Sequence, residues 1–414
     1  MSVMPQRMTS KYTVLTILFI GWIVDYLDRM VMSVAIPFIG ADFHLSAATL
    51  GIVLSSFFAG YALMQIPGGW LSDKFGSRKV MMISIALWSV FTLLTGLAWS
   101  LAALLVIRLL FGIGEGSFPA ASSKAIAEQF PQAETARAES TMLSSNALGV
   151  AIAPLFAAPL MAVMGWRNMF MVIAVLGLVV AWLIYVYVRP RTNNAQAVAS
   201  ANAAKSKMRM RDLMKTPTMW KLVIMWFGLD IVLWGFSSWL PSYLIKVRHL
   251  HLINAGIVAS LPFFAGTISM LLGGWLMDRV FVGREKYVAI VVELLGAFFL
   301  FMMFQTSNIT EASIYQILSA FFLYFGFAAI WSLPLKILPV EIMGSAAGMI
   351  NFGGQVAGFI SPMVMGFLIS ASGGSYSTAF WFLIIAAIVS AITGLTLTNA
   401  KGMLEAKVAG SAEV

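Results

Sequence analysis

The chain has no cysteine, three histidines and few charges, with only 10% of its 414 residues Asp, Glu, Lys or Arg. Without cysteine there can be no disulfide, iron–sulfur cluster or thiol chemistry. His44, His249 and His251 lie outside the apolar runs, so neither a buried histidine metal site nor any other cofactor is expected. A soluble domain carries about 25% charged residues. The shortage here, beside 60% hydrophobic residues and a mean hydropathy of +0.90, implies an integral membrane protein. A cleavable signal peptide is not expected: the first apolar run extends from about Thr13 to Ile39, longer than a signal h-region of about 7–15 residues.

What the chain does have is a series of long apolar runs. Twelve spans are expected, at about 13–39, 48–71, 80–99, 101–124, 138–163, 168–188, 219–245, 254–277, 287–305, 312–336, 343–370 and 377–398. Most can cross an apolar core of about 30 Å at 1.5 Å per residue. The net charge of +9 is uneven. With both termini in the cytoplasm, the inner loops collect Lys74, Arg78, Lys79, Lys124, Arg137, Arg189, Arg191, Lys205, Lys207, Arg209, Arg211, Lys215, Arg279, Arg284, Lys286 and Lys336. The outer loops keep Arg167, Lys246 and Arg248. This asymmetry is the positive-inside pattern, so the basic charge reflects topology. No basic-aromatic surface domain exists to bind nucleic acid.

Residues 189–217 are small, polar and basic, with six apolar runs on each side. They read as a cytoplasmic linker ending in a short interfacial helix at MRMRDLM, between an N-terminal half (1–188) and a C-terminal half (218–414). The halves echo each other. Gly68-Gly69-Trp70-Leu71-Ser72-Asp73-Lys74 returns as Gly273-Gly274-Trp275-Leu276-Met277-Asp278-Arg279, and Asn146 and Gly149 return as Asn351 and Gly354, all 205 residues on. Paired six-helix repeats place substrate at their interface near the midplane. Spans five and eleven are rich in small residues and contain Pro154 and Pro362, which suits close packing and bending at a gate.

Four full charges interrupt the apolar runs: Asp28 and Arg29 in span one, Arg108 and Glu115 in span four. Ionisable groups at membrane depth are costly and usually face a bundle interior or an aqueous cavity. Arg108 and Glu115 are seven residues apart, so they share one helix face about 10 Å apart along the axis. Arginine offers a permanently charged, planar fork suited to a carboxylate. A carboxylate held by that arginine can let go on protonation, which couples protons to anion binding. Structural ion pairing between the two helices is the alternative. Asp25, one turn before Arg29, is expected to pair with it. Asp230 and Glu293 are lone intramembrane acids, the former a candidate to face the pathway and the latter without a site role.

The run Gly69-Trp70-Leu71-Ser72-Asp73-Lys74-Phe75-Gly76-Ser77-Arg78-Lys79 resembles the loop 2–3 signature of the major facilitator superfamily, and the twelve-span plan extends the resemblance to the whole chain. A narrower resemblance is to its anion:cation symporter branch, sugar-acid permeases of the galactonate type among them. The residues that carry it are Tyr26-Leu27-Asp28-Arg29, Tyr61, Gln65 to Trp70, Arg108, Gly112 to Glu115, Phe118-Pro119 and Trp331-Ser332-Leu333. The resemblance implies an all-α membrane protein of twelve helices in two pseudo-symmetric halves. It further implies that Asp28 and Glu115 carry protons and that Tyr26, Arg29, Tyr61, Arg108, Trp331, Ser332 and Asn351 line the substrate path. Asn146 stands where the galactonate type has glutamine, and Asp25 is an additional acid; Asn146 is counted with the substrate residues. Gly69, Asp73, Lys74, Gly76, Arg78 and Lys79 are expected to form a latch whose charges reach helix ends across the halves.

The expected function is a proton-coupled importer of a small organic anion, with sugar acids (hexonates, hexuronates, aldarates) preferred and aromatic or sulfonated acids as the alternative. It is expected to work as a monomer among lipids in a bacterial inner membrane. A proton-driven drug exporter of the same fold would need an acidic pocket without two arginines. For an enzyme or receptor, the sequence supplies no nucleophile–base pair, metal-ligand cluster or signalling domain.

Overall fold

The computed structural model describes residues 10–188, 214–338 and 343–397. Residues 189–213 of the expected linker, with nearly all of the short helix expected at 208–214, lie outside them. Thirteen helices and no strands occur among the described residues: α1 (Lys11–Asp42), α2 (Ala47–Phe75), α3 (Ser77–Gly96), α4 (Leu101–Glu115), α5 (Phe118–Gln129), α6 (Gln132–Leu143), α7 (Ser145–Tyr187), α8 (Pro217–Lys246), α9 (Leu252–Arg279), α10 (Glu285–Gln305), α11 (Ile309–Ile337), α12 (Met343–Ala371) and α13 (Ser377–Leu395). An all-helical answer follows from the solvent, since lipid leaves backbone groups to find their partners within their own helix.

Ten described stretches are long and apolar enough to cross a membrane. One of them, Arg137–Tyr187, has 51 residues, twice what a crossing needs. It reverses at Gly165, whose φ of 76° and ψ of 166° lie in a region open essentially to glycine alone. The 32-residue α1, with Asp25, Asp28 and Arg29 buried within it, supplies a further pass. Counting Arg137–Tyr187 as two passes and α1 as one more brings the total to twelve among the described residues.

The fourth pass departs from the unbroken span expected at 101–124. It is interrupted between Glu115, the last residue of α4, and Phe118, where Pro119 helps to start α5. A helix end inside the bundle leaves carbonyls without intrahelical partners and a partial negative charge. Interrupted helices at membrane depth are tolerated where they are buried in protein or line a cavity.

Small residues set how closely the helices approach. At the α2–α4 crossing a methyl group on Gly112 would collide with the Phe57 carbonyl oxygen and lie 2.7 Å from the Tyr61 nitrogen, and one on Gly60 would collide with the Leu109 carbonyl. Valine at Gly112 is therefore expected to push α2 and α4 apart. Overpacking costs about 1–3 kcal/mol, and differential scanning fluorimetry in detergent would register it as a melting point lowered by several degrees.

The same device joins α1–α7 to α8–α13. A Cβ on Gly51 of α2 would sit 2.6 Å from the Pro362 carbonyl of α12 and 3.2 Å from the Gly366 Cα. One on Gly256 of α9 would sit 2.6 Å from Ala158 and 2.8 Å from the Pro154 carbonyl of α7. Both seams lie toward the loops that hold Arg167, Lys246 and Arg248. At the other, basic face, Gly69, Gly274 and Gly348 have nothing within 4 Å of a Cβ position. Close helix approach across the halves is thus found toward the face of Arg167, Lys246 and Arg248, and these three glycines of the basic face take no part in any such seam.

The two copies of the sequence repeat also sit alike. Gly68 packs on Ser117 in the fourth pass and Gly273 on Ala328 in α11, while Trp70 and Trp275 are 58% and 54% exposed.

Candidate substrate and proton site

Of the four charges singled out in the sequence, two, Arg29 and Glu115, are brought together by α1 and α4, and a further acid, Asp25, joins them. Arg29 donates from Nε to Glu115 Oε1 at 3.1 Å, and its Nη2 makes a closer contact to the same oxygen. Asp25 Oδ2 lies 3.5 Å from Arg29 Nη2, one turn back on the same helix. Glu115 ends α4, so Arg29 also faces the negative end of that helix. Glu115 Oε2 and both oxygens of Asp25 are buried without a hydrogen bond. Removing one member of such a buried pair costs about 3–5 kcal/mol, so the pair holds unless a proton or another anion replaces the interaction.

Four aromatic rings surround the Arg29 guanidinium: Tyr26 at 4.5 Å, Phe57 at 4.8 Å, Tyr61 at 4.9 Å and Trp234 at 5.6 Å. Each contact adds about 0.5–2 kcal/mol of cation–π attraction, most where water is excluded. Trp234 comes from α8 and packs edge-on to Phe58 of α2 at 4.8 Å. The cage therefore spans the junction between α1–α7 and α8–α13.

Asp28 is placed differently from its neighbour. It is 2% exposed and accepts a hydrogen bond from Thr92 Oγ1 of α3 at 2.5 Å, while its Oδ1 has no partner. Arg108 is equally buried. Its guanidinium sits over Phe111 at 4.6 Å and Phe57 at 5.3 Å, and its Nε has no hydrogen-bond partner. Among the described residues no carboxylate lies within 4 Å of Arg108. Arg29 is thus ion-paired, whereas Arg108 makes no ion pair within 4 Å among the described residues and has Asp28 and Glu115 as its acidic neighbours.

Tyr26 and Tyr61, expected along the substrate path, are in the Arg29 cage. Asn146, at the start of α7, keeps a buried Oδ1 without a partner, and Gly149 one turn on packs against Tyr26. Trp331 is near the junction through an edge-on contact with Trp226 at 5.0 Å. Asn351 is half-buried, one turn before Gln355, whose Oε1 is buried and unpartnered. Ser332 is the exception: its hydroxyl bonds the Ala329 carbonyl of its own helix at 2.6 Å, so no contact ties it to the cluster.

Sequence reasoning missed Trp226, Trp234, Tyr324 and Gln355. A usable signal existed for the first two: Trp226, Asp230 and Trp234 recur every four residues and share one face of α8. Tyr324 carried no such mark.

The contacts of the latch residues are these. Asp73 pairs with Lys124 of α5 at 2.9 Å, Lys74 lies over its neighbour Trp70 at 4.7 Å, and Arg78 reaches the Tyr185 carbonyl. Gly76 takes a φ of 87° to turn the corner, Gly69 faces open space and Lys79 is exposed. All these contacts stay within α1–α7. Among the described residues none of these contacts reaches across the halves.

The sequence profile of the Major Facilitator Superfamily matches residues 18–362. A protein named as a probable sulfoacetate transporter of Cupriavidus necator is 36% identical, over 91% of each chain. A hexuronate transporter of Bacillus subtilis is 29% identical, over 89% of this chain and 90% of the other. A crystal structure of a D-xylose-proton symporter superposes with a TM-score of 0.77 at 17% identity, covering 94% of this chain and 99% of that one; this likeness concerns the fold.

Proposed function

The chain belongs to the major facilitator superfamily, and we propose that it is a proton-coupled symporter importing a small organic anion, with sugar acids as the preferred class. It is an integral membrane transporter and not an enzyme. On this reading the basic face is cytoplasmic, the membrane is the bacterial inner membrane, and two halves (1–188 and 218–414) rock about the site as a monomer.

The observation that carries the reading is the unpaired Arg108 beside the ion-paired Arg29. An anion entering from the basic face meets a buried guanidinium without an ion pair, which favours binding through a charge-assisted fork. Protonation of Glu115 cancels its hold on Arg29 and frees a second guanidinium for the same anion. By linkage, bound anion raises the proton affinity of the acids around it. One pH unit supplies about 1.4 kcal/mol per proton, and 100 mV supplies about 2.3 kcal/mol per net charge moved inward. The amide and hydroxyl groups of Asn146, Asn351, Tyr26 and Tyr61 suit a polyol chain. The pathway's two arginines disfavour export of cationic drugs.

A second substrate reading rests on the 36% identical relative named for sulfoacetate. A sulfonate is also an anion that Arg108 can hold, so a sulfonated acid is the competing cargo.

Uptake into proteoliposomes separates these readings. Wild-type protein is expected to accumulate labelled D-galactonate or D-glucuronate under an inward proton gradient and to lose accumulation when the gradient is collapsed. Asp28→Asn is expected to remove most of the gradient-driven accumulation. Accumulation of sulfoacetate without either sugar acid would move the assignment to the sulfonated class. Full accumulation by Asp28→Asn would take that residue out of proton coupling.

A further inference from the structure

Asp230 is a buried carboxylic acid with no cation near it, and the mechanism above leaves it unused. It lies on α8, 6% exposed, with neither a hydrogen bond nor an ion pair to another described residue. Its position is fixed by a tight corner with α12. A methyl group on Gly354 would collide with both the Asp230 Oδ2 and the indole Nε1 of Trp226. The glycine therefore brings an acid and a donor to one spot. Trp226 Nε1 is itself buried without an acceptor. Gln355, next in sequence, adds a buried oxygen with no donor.

The corner faces the Arg29 cage across the junction. Asp230 lies within electrostatic reach of the Tyr26 hydroxyl of α1 and the Tyr324 hydroxyl of α11. Among the described residues no arginine or lysine lies within 4 Å of Asp230. Glu293 of α10, the other lone acid of this region, is turned away and bonded to Ser390 Oγ of α13 at 2.7 Å. The titratable groups facing Asp230 are thus two tyrosines. The helix α13 carries no charged residue, and α12 presents Gly354, with Asn351 and Gln355 within one turn of it in sequence.

The binding region consequently has two unlike ends. One end holds both guanidiniums and takes the anionic group. The other holds an acid, an indole N–H and amides, which suit neutral hydroxyls: each hydroxyl can donate to a carboxylate and accept from an N–H. We propose that the Asp230–Trp226–Gly354 corner is the subsite for the far end of the substrate and that Asp230 reads its charge. This rests on the anion-symporter reading. A neutral hydroxylated end binds whether or not Asp230 carries a proton. A second anionic end binds only with Asp230 protonated, because like charges in a dry site oppose each other strongly. Monoanions are then the favoured cargo wherever Asp230 is ionised, and dianions require one proton more.

The test uses matched probe pairs that differ only in one terminal group. Galactonate and galactarate share a skeleton with either CH2OH or carboxylate at the far end. Isethionate and sulfoacetate form the same pair on a two-carbon frame. Binding to purified full-length protein is measured at pH 5.5 and 7.5, with wild type, Asp230→Asn and Asp230→Ala.

Wild type is expected to favour the monoanion of its responsive pair by about tenfold or more at pH 7.5, a gap of about 1.4 kcal/mol or larger, and by much less at pH 5.5. Asp230→Asn, which keeps the shape and one acceptor oxygen, is expected to gain dianion affinity relative to the monoanion and to lose the pH dependence of the preference. A preference and pH slope unchanged in Asp230→Asn would overturn the proposal, as would a wild type that prefers the dianion at pH 7.5. If the sulfonate pair alone responds, with the Asp230 effect intact, the sugar-acid reading fails and the charge-reading subsite stands. No binding of either pair overturns both.

Discussion

Arg108→Ala is expected to weaken anion binding by about 30-fold to several-thousand-fold, the equivalent of the 2–5 kcal/mol lost when one side of a buried charge pair is truncated. The physical reason is that Arg108 is the buried guanidinium without an ion pair, between Phe57 and Phe111, and a bound anion would be its counter-charge. Deleting it removes the attraction and leaves Asp28 without a neighbouring guanidinium, while Arg29 still holds Glu115 and Asp25. Isothermal titration with galactonate measures the loss, and an unchanged melting point in ligand-free protein shows that the fold has survived. Arg108→Lys is expected to recover part of the affinity, since an ammonium keeps the charge but not the planar fork. Affinity retained in Arg108→Ala would end its role as anchor.

Glu115→Gln is expected to separate exchange from accumulation. Glutamine resembles the protonated acid, so Arg29 is left free for substrate while Asp25 at 3.5 Å and the four surrounding rings still support the guanidinium. Counterflow of labelled substrate between two filled compartments needs no proton and is expected to persist. Accumulation against a gradient is expected to fall by about tenfold per pH unit, the share of one proton. A glutamate that merely ties α1 to α4 would give another pattern, with both activities lost together through instability or both preserved.

The twelve passes were legible because apolar runs of that length have few alternatives in water or lipid, and the basic charge separated one face from the other before any coordinates. The charged residues of the site were legible too, since a full charge within such a run is an anomaly whose cost demands a reason. Partnership was less accessible. Asp25 and Arg29 are one helical turn apart, and that pairing followed from spacing alone. Arg29 with Glu115 joins residues 86 positions apart, and Asp28 with Thr92 depends on a threonine that looks like any other in an apolar span. The break after Glu115 was hidden because the fourth run stays apolar through it, and only Pro119 marks the restart. The contacts of Asp73 with Lys124 and of Arg78 with Tyr185 were not legible either, since they join residues 51 and 107 positions apart.

The seams that close the face opposite the basic corner have a consequence for the transport cycle. They consist of backbone against backbone, Gly51 on Pro362 and Gly366, and Gly256 on Pro154 and Ala158. Among the described residues no ion pair crosses them. Parting them gives up short-range dispersion and carries no charge through the membrane field, so this gate is indifferent to voltage and to ionic strength. The electrical work of the cycle is then confined to the loaded site, and the door itself is mechanical.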